Sequence, residues 1–135
     1  MLELARCYRE EPVHIAALSS KESIPLKFLE AILLELKGYG LLESKKGKNG
    51  GYSLSRPPST ITFGSIIRLM EGPLAPLPCA SETAFPPCAE CRDVESCGTR
   101  ILMRQVRDAM AAVLDRTTLA DLLRQTELAA NRRET

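Results

Sequence analysis

The strongest constraint on the fold is the order of three predicted elements between residues 13 and 55. A short helix is followed by the polar turn SSKES at 19–23 and by a second helix, which Pro25 begins and Gly38 ends. The segment KKGKNGG at 45–51 then separates two strand-like stretches, and its Asn-Gly pair predicts a β-hairpin. The second helix has an apolar stripe at helical spacing, which we assign to the core: Phe28, Leu29, Ile32, Leu33 and Leu36.

Helix, helix and glycine-rich basic hairpin, in this order, are typical of a winged helix-turn-helix. Three residues near the N-terminal end of the second helix lie outside the apolar stripe: Lys27, Glu30 and Ala31. This is the end at which such a helix meets base edges. The side chains of the hairpin that can neutralise phosphates are Lys45, Lys46 and Lys48. Lysines on a hairpin can also simply be solvated. Because the formal net charge is only +1, a DNA-binding function depends on this local patch.

A third helix, capped by Thr62 and ending at Met70, leads into a long proline-rich loop at 72–97. Loops of this length inside a compact domain are usually functional or disordered. The loop holds four of the five cysteines of the chain, namely Cys79, Cys88, Cys91 and Cys97.

Cysteine thiolates bind zinc and iron–sulfur clusters. The spacing differs from the paired CxxC motifs of a zinc ribbon, and irregular spacing in a flexible loop favours an iron–sulfur cluster, with zinc as the alternative. A thioredoxin-like dithiol is disfavoured because no βαβ pattern surrounds the loop. Residues 1–10 predict a further short helix, and Cys7, on its apolar face, is expected to be a buried, inert thiol.

Residues 98–114 predict a long helix with an apolar face that is broad for so small a chain. We expect this face to pack on a second copy as well as on its own domain. The centre of this face is formed by Leu102, Val106, Ala109 and Val113. It is widened by Met103, Met110 and Leu114. Thr118 and Asp121 have the spacing of a capping box, and the tail after Gln125 is expected to fray.

Several classes of protein are disfavoured by what the sequence does not contain. No apolar run approaches the roughly 18 residues that span a bilayer, and no signal peptide is evident, so we expect a cytoplasmic protein without a membrane partner. Structural disulfides are disfavoured in that compartment. No nucleophile–base pair or phosphate-binding glycine loop is present, so we do not expect an enzyme.

The chain resembles the IscR/NsrR family of bacterial winged-helix transcription regulators, also called the Rrf-two family. The resemblance is carried by IPLKFLEAILLELKGYGLLESKKGKNGGYSL at 24–54, by ITFGSIIRLMEGP at 61–73, by the spacing of Cys91 and Cys97, and by TLADL at 118–122. It implies a mainly α fold with a small β-hairpin wing. The implied segments are a winged helix-turn-helix DNA-binding domain at 1–72, a cysteine-containing sensor loop at 73–97, and a dimerisation helix with a short C-terminal helix at 98–135.

The resemblance also implies a homodimer, joined through the 98–115 helix, that binds an inverted-repeat operator in double-stranded DNA. An iron–sulfur cluster, 2Fe–2S more often than 4Fe–4S, would tune DNA affinity. Matched by position, the groove-reading residues are Pro25, Lys27, Phe28, Glu30 and Ala31. The wing contacts are Lys46 and Gly47, with their neighbours Lys45, Lys48 and Asn49. The matched cluster ligands are Cys79, Cys91 and Cys97.

Three features depart from the family pattern. Arg100 stands where some members have a histidine ligand, and arginine cannot bind iron. Cys88 is an additional cysteine, so we hypothesise that it supplies the fourth ligand. Relative to the family the chain begins roughly a dozen residues late, at Met1 within a helix. The only histidine, His14, is expected to cap a helix or face solvent.

These expectations leave other functions open. A zinc-bound or thiol-redox regulator of the same fold, or a DNA-independent metal or redox protein, would use the same cysteines. A preparation made in air can lack the cluster.

Overall fold

The computed structural model describes residues 1–132 and is mainly helical, as predicted. The helices are α1 (Leu2–Arg6), α2 (Ile15–Glu22), α3 (Leu26–Gly38), α4 (Phe63–Glu71), α5 (Gly98–Leu114) and α6 (Leu119–Asn131). One antiparallel hairpin, the wing, consists of β1 (Leu42–Lys45) and β2 (Gly51–Leu54). Single turns of 3-10 helix occur at Pro58–Thr60 and Pro78–Ala80. No helix in the described part of the chain combines the length and apolar character needed to cross a bilayer.

The chain divides into two compact units. The first comprises Met1–Ile61 and the chain from Thr118 onward, and the second comprises Thr62–Thr117. The C-terminal helix belongs with the first unit because α6 packs on α1. The division by function into 1–72, 73–97 and 98–135 stays a prediction, since the compact units follow packing and have other boundaries.

The core of the first unit is built mainly of leucine. Leu29, Leu33 and Leu36 form the inward face of α3 at i, i+4 and i+7 spacing. The predicted stripe is wrong at Phe28, which is 64% exposed, because it lies about 100° around the helix from Leu29. The other buried apolar residues of this unit are Leu4, Ala5, Leu18, Leu41, Leu42, Leu54, Ile61 and Leu119.

The wing forms where the Asn-Gly signal predicted a hairpin, with Leu42 paired to Leu54 and Lys45 to Gly51. A contact that was not predicted attaches it to the segment before α2. The backbone N–H groups of Val13 and Tyr52 each donate to the other residue's carbonyl at 2.9 Å. Gly51 permits this approach, because its φ is +154° and a Cβ there would overlap the Val13 carbonyl.

Both halves of the capping box at the start of α6 are present. The Thr118 hydroxyl accepts from the Asp121 N–H at 3.1 Å, and the Asp121 carboxylate accepts from the Thr118 N–H at 3.1 Å. The fraying expected after Gln125 is wrong within the described residues, because α6 continues to Asn131. An ion pair at 3.9 Å between Arg6 and Glu127 joins this extension to α1. The last residues of the expected tail, 133–135, lie outside the described part.

A buried carboxylate joins α1 to α2. Glu3 is 7% exposed and accepts from Lys21 Nζ at 2.5 Å and from Arg6 Nη1 at 2.7 Å. The hydrogen bond from Lys21 is the main cause of the lowered pKa of Glu3. Cys7 was expected to be buried on a helix face, but it is the C-cap residue of α1 and is only half-buried. Burial raises the pKa of its thiol, and its inert role stays a prediction.

In the second unit, Thr62 caps α4 as predicted, by accepting from the Ser65 N–H at 3.2 Å. An ion pair between Arg68 and Asp115 joins α4 to α5. The proline-rich loop between these helices is anchored at three buried residues, Leu74, Ala80 and Ser81. The loop is therefore held against its own unit at its N-terminal end.

Candidate functional site

The α3–wing surface comprises the ten residues that the resemblance assigned to DNA binding. All ten are exposed: Pro25, Lys27, Phe28, Glu30, Ala31, Lys45, Lys46, Gly47, Lys48 and Asn49. Five of them follow one another at 45–49, from the last residue of β1 into the turn of the wing, and the rest lie on the first turns of α3 or just before it. The fold thus leaves this surface free of contacts with its own core.

The exposed part of α3 is not uniformly polar. Leu26, Phe28 and Leu34 are all about half exposed or more, at 48%, 64% and 54%. Apolar side chains on such a helix can contact thymine methyl groups in the major groove, whereas charged ones contact phosphates and polar base edges.

A cleft of about 420 Å³ lies at the base of the wing and includes residues that the sequence did not single out for binding. It is lined by Leu34 and Lys37 of α3, by the wing residues Lys45 and Lys46, and by His14. Lys37 donates to the Ser44 hydroxyl at 2.6 Å, which orients its ammonium group toward the wing. In the sequence, the signal that could have indicated Lys37 as a binding residue was its spacing from Lys27 and Leu34 along α3. His14 occupies the N-cap position of α2, is exposed, and makes no side-chain cap.

The four cysteines of the loop line a single cavity of about 300 Å³, which we call the cysteine cavity. Three of them are half-buried and Cys88 is exposed, and all four thiols are free. The walls of the cavity are mostly apolar, from Leu77, Phe85 and Val94, with Arg100 at one side. Among residues 1–132, no three His, Cys, Asp or Glu side chains are grouped as a site for one metal ion.

The thiols of the cysteine cavity lie close enough to affect one another. Desolvation, followed by the neighbouring thiols Cys97, Cys88 and Cys79, raises the pKa of Cys91. The Cys91 N–H donates to the Cys88 carbonyl at 3.0 Å, so the C-x2-C pair forms a turn. Cys97 is the N-cap residue of α5, where the helix dipole favours negative charge.

Two arginines of α5 contact the loop beside Cys79, and the sequence indicated a role for neither. Arg100 Nε donates to the Cys79 carbonyl at 3.0 Å, and Arg107 Nη1 donates to the Ala80 carbonyl at 2.7 Å. Arg107 is 8% exposed, whereas Arg104 and Asp108 on the same helix are exposed. For Arg107 the available signal was its spacing of two turns from Arg100, which the sequence had marked only as standing in the place of a histidine ligand.

Solved structures with the same fold include two regulators. The structure of CymR, the global cysteine regulator of Bacillus subtilis, superposes with a TM-score of 0.75 at 33% identity, over 92% of this chain and 87% of that one. IscR of T. potens superposes with a TM-score of 0.72 at 30% identity, over 95% of this chain and 80% of that one. The hairpin of the present structure is therefore the wing of a winged-helix fold.

The sequence comparisons agree with the structural ones. The chain is 36% identical to an rrf2-like HTH-type transcriptional regulator of Rhodobacter capsulatus, over 91% of this chain and 84% of the relative. It is 35% identical to the HTH-type transcriptional regulator CymR of Bacillus subtilis, over 94% of this chain and 83% of the relative. The family model described as Rrf2, iron-dependent transcriptional regulator, matches residues 1–125. The chain belongs to the Rrf2 family of winged-helix transcriptional regulators, which are DNA-binding proteins and not enzymes.

Proposed function

We propose that this regulator binds an inverted-repeat DNA operator as a homodimer, and that an iron–sulfur cluster held in the cysteine cavity controls its affinity for DNA. The observation that carries the proposal is the convergence of four free thiols on one cavity at the start of α5. An exposed α3–wing surface on the same chain supplies the DNA-binding face.

The DNA contacts divide between α3 and the wing. Lys27, Glu30 and Ala31, together with Pro25 and Phe28, would enter the major groove, where an exposed phenyl ring can contact a thymine methyl. Lys45, Lys46 and Lys48 would neutralise phosphates, while Gly47 and Asn49 allow the backbone of the wing to approach them. The Lys37 ammonium group, held toward the wing by Ser44, adds positive charge beside the same surface.

The homodimer would form through α5. One side of this helix carries large apolar residues with no covering partner within the described chain, all of them 38% exposed or more: Ile101, Leu102, Val106, Met110 and Val113. The opposite side holds the buried Arg107 and faces its own unit. A second copy of α5 would cover the apolar side, and the two-fold symmetry would match an inverted repeat.

The donor set of the cysteine cavity fits an iron–sulfur cluster, which is held by cysteine thiolates. Cys79, Cys91 and Cys97 would be ligands, with Cys88 as the fourth in place of the histidine that Arg100 replaces. The ligands of a two-iron cluster are divided between two metal atoms and need not converge on one point. When bound, such a cluster supplies a redox-sensitive link between the thiolates. Because Cys97 is the N-cap of α5, a change in ligation at this residue would act directly on the dimerisation helix.

The first experiment tests DNA binding. Affinity for duplex DNA is measured between 50 and 200 mM salt, about the range over which phosphate contacts change affinity steeply. We expect Lys46→Gln to lower affinity and to reduce the slope of log K against log salt by about 1. The matched control is Arg104→Gln, an exposed arginine on α5. Equal slopes for the wild type and Lys46→Gln would contradict the wing assignment.

The second experiment tests the cluster. Protein is purified without oxygen, its visible spectrum is recorded, and its iron, sulfide and zinc are assayed. We expect brown protein with iron and sulfide, and a shorter-lived spectrum in Cys88→Ser. Colourless protein with one zinc per chain would make the loop a structural zinc site, and metal-free protein with oxidised cysteines would make it a thiol switch. Either result would overturn the cluster proposal while leaving the DNA proposal intact.

A further inference from the structure

Two arginines on one face of α5 hold successive carbonyl groups of the loop. Arg100 and Arg107 are seven residues, or two turns, apart, and their side chains are only 14% and 9% exposed. Arg100 Nε donates to the Cys79 carbonyl at 3.0 Å, and Arg107 Nη1 donates to the Ala80 carbonyl at 2.7 Å. The 3-10 turn at Pro78–Ala80 is thus attached to α5 at both carbonyls.

Arg100 also reaches the other end of the cysteine cavity. Its Nη1 donates to the Val94 carbonyl at 3.3 Å and lies 3.5 Å from the Glu95 carboxylate. Its guanidinium carbon is 5.2 Å from the centre of the Phe85 ring, within range of a cation–π contact. One side chain therefore connects the Cys79 end of the loop with the segment between the last two cysteines.

Arg107 is anchored in a different way. Its Nε and Nη2 both donate to the Asp108 carboxylate, at 2.8 and 2.5 Å, and Nη2 lies 3.4 Å from Glu82. These carboxylates balance the charge of an otherwise buried guanidinium. Because a buried guanidinium donor without an acceptor is costly, the bond to the Ala80 carbonyl resists displacement of the turn.

We propose that Arg100 and Arg107 are positioning residues that fix the Cys79 sulfur in the cysteine cavity by holding two successive carbonyls on α5. Arg100 lines the cavity but cannot bind metal, so its contribution is to geometry. The inference deepens the proposed function, because Cys79 is one of the ligands proposed there. A movement of Cys79 when its ligation changes is carried to α5 by the same hydrogen bonds.

The test starts with reduced, metal-free protein, so that it does not depend on a cluster. The rate of alkylation by iodoacetamide is measured at each cysteine by peptide mass spectrometry, with the exposed Cys88 as the internal reference. We expect the ratio of the Cys79 rate to the Cys88 rate to rise about tenfold in Arg100→Lys and Arg107→Met, because lysine cannot bridge two carbonyls and methionine donates to neither.

Arg104→Met is the matched control, since Arg104 is exposed between Arg100 and Arg107 and makes no hydrogen bond or ion pair within the described chain. An unchanged ratio in both variants overturns the proposal. If Arg107→Met unfolds, all five cysteines react at one rate, and Arg107→Lys replaces this variant. Arg100→Lys is still judged by the same tenfold rise in the ratio of the Cys79 rate to the Cys88 rate.

A second arm separates this proposal from the proposed function. The lifetime of the anaerobic visible spectrum is measured in Arg100→Lys, Arg104→Met and Cys79→Ser. We expect Cys79→Ser to lose the spectrum and Arg100→Lys to shorten its lifetime several-fold, with Arg104→Met unchanged. If Arg100→Lys raises the Cys79 rate while Cys79→Ser leaves the spectrum intact, the positioning role stands and the ligand assignment fails. If Cys79→Ser loses the spectrum and the arginine variants alkylate like the control, the ligand assignment stands and the positioning role fails.

Discussion

Arg68 and Asp115 form a two-point ion pair between α4 and α5, with nitrogen–oxygen distances of 2.5 and 2.9 Å. The pair leaves no space beside Gly64 on the first turn of α4, where a Cβ atom would overlap the Asp115 carboxylate. Position 64 therefore has room only for glycine, because the acidic partner of the ion pair, Asp115, lies against it although it is 51 residues later in the chain.

The effect of Gly64→Ala on stability should therefore depend on whether Asp115 is present. Gly64→Ala should lower the free energy of unfolding by about 1 kcal/mol, because the methyl group displaces Asp115 from Arg68. In an Asp115→Ala background the same substitution should be neutral or stabilising by up to about 1 kcal/mol, since alanine favours a helix over glycine. Urea denaturation of the four proteins in this double-mutant cycle measures the difference, and additive effects would contradict the contact.

Gly51 should tolerate alanine much less well than Gly47. Both have positive φ, at +154° and +107°, but only Gly51 lies against the Val13 backbone, and Gly47 has open space beside it. Gly51→Ala should therefore cost more than the roughly 1–3 kcal/mol of backbone strain alone, because a backbone carbonyl cannot move aside. Gly47→Ala, the matched control, should cost only that strain. Thermal unfolding followed by circular dichroism compares them, and equal losses would show that Val13 does not restrict the wing.

The Glu3 carboxylate should make stability depend on pH in the acid range. Its pKa in the folded protein is lowered from the ordinary value of 4.5, chiefly by the hydrogen bond from Lys21, so its contribution is complete above that value. As pH falls below 4.5 and through the folded pKa, protonation removes the contribution. Glu3→Gln should cost about 1–2 kcal/mol at pH 7 and progressively less toward pH 3.

The matched control for this measurement is Glu11→Gln, at an exposed position. Denaturant unfolding of the three proteins at pH 7 and pH 3 gives the comparison. A difference between wild type and Glu3→Gln that stays constant over this range would rule out the linkage.

The two halves of the capping box at the start of α6 should act as one unit. Thr118→Ala should lower the free energy of unfolding by about 1 kcal/mol, and Asp121→Ala should also destabilise the protein, because each removes one side of a reciprocal pair of hydrogen bonds. The double variant should cost clearly less than the sum of the two. Because α6 packs on α1, the loss should appear in global unfolding. Strict additivity would mean that the two bonds are independent.

Features set by neighbouring residues were predictable from the sequence. The 3.6-residue periodicity of α3, the Asn-Gly turn of the wing and the Thr118–Asp121 spacing each operate within a few residues, and all three are present in the structure. The error at Phe28 has the same local origin, because an apolar residue one position from the buried stripe satisfies the periodicity nearly as well.

Features made by distant residues could not be predicted in this way. The bridge between Val13 and Tyr52 joins segments 39 positions apart, and no local pattern marks it. The burial of Arg107 depends on the Ala80 carbonyl, which only the folded loop brings within reach. The cysteine cavity could be predicted only in part. The spacing of the cysteines indicated a shared site, but not that Arg100 would connect its two ends.

The chain leaves the first unit after Ile61 and re-enters it at Thr118, and the Leu119 N–H donates to the Ile61 carbonyl at 2.9 Å. The exit and the re-entry are thus one hydrogen bond apart. In the language of protein architecture, residues 62–117 are an inserted module with adjacent ends. The chain path of the first unit therefore does not depend on the length of this module. A change of sequence confined to residues 62–117 requires no change in the topology of the first unit.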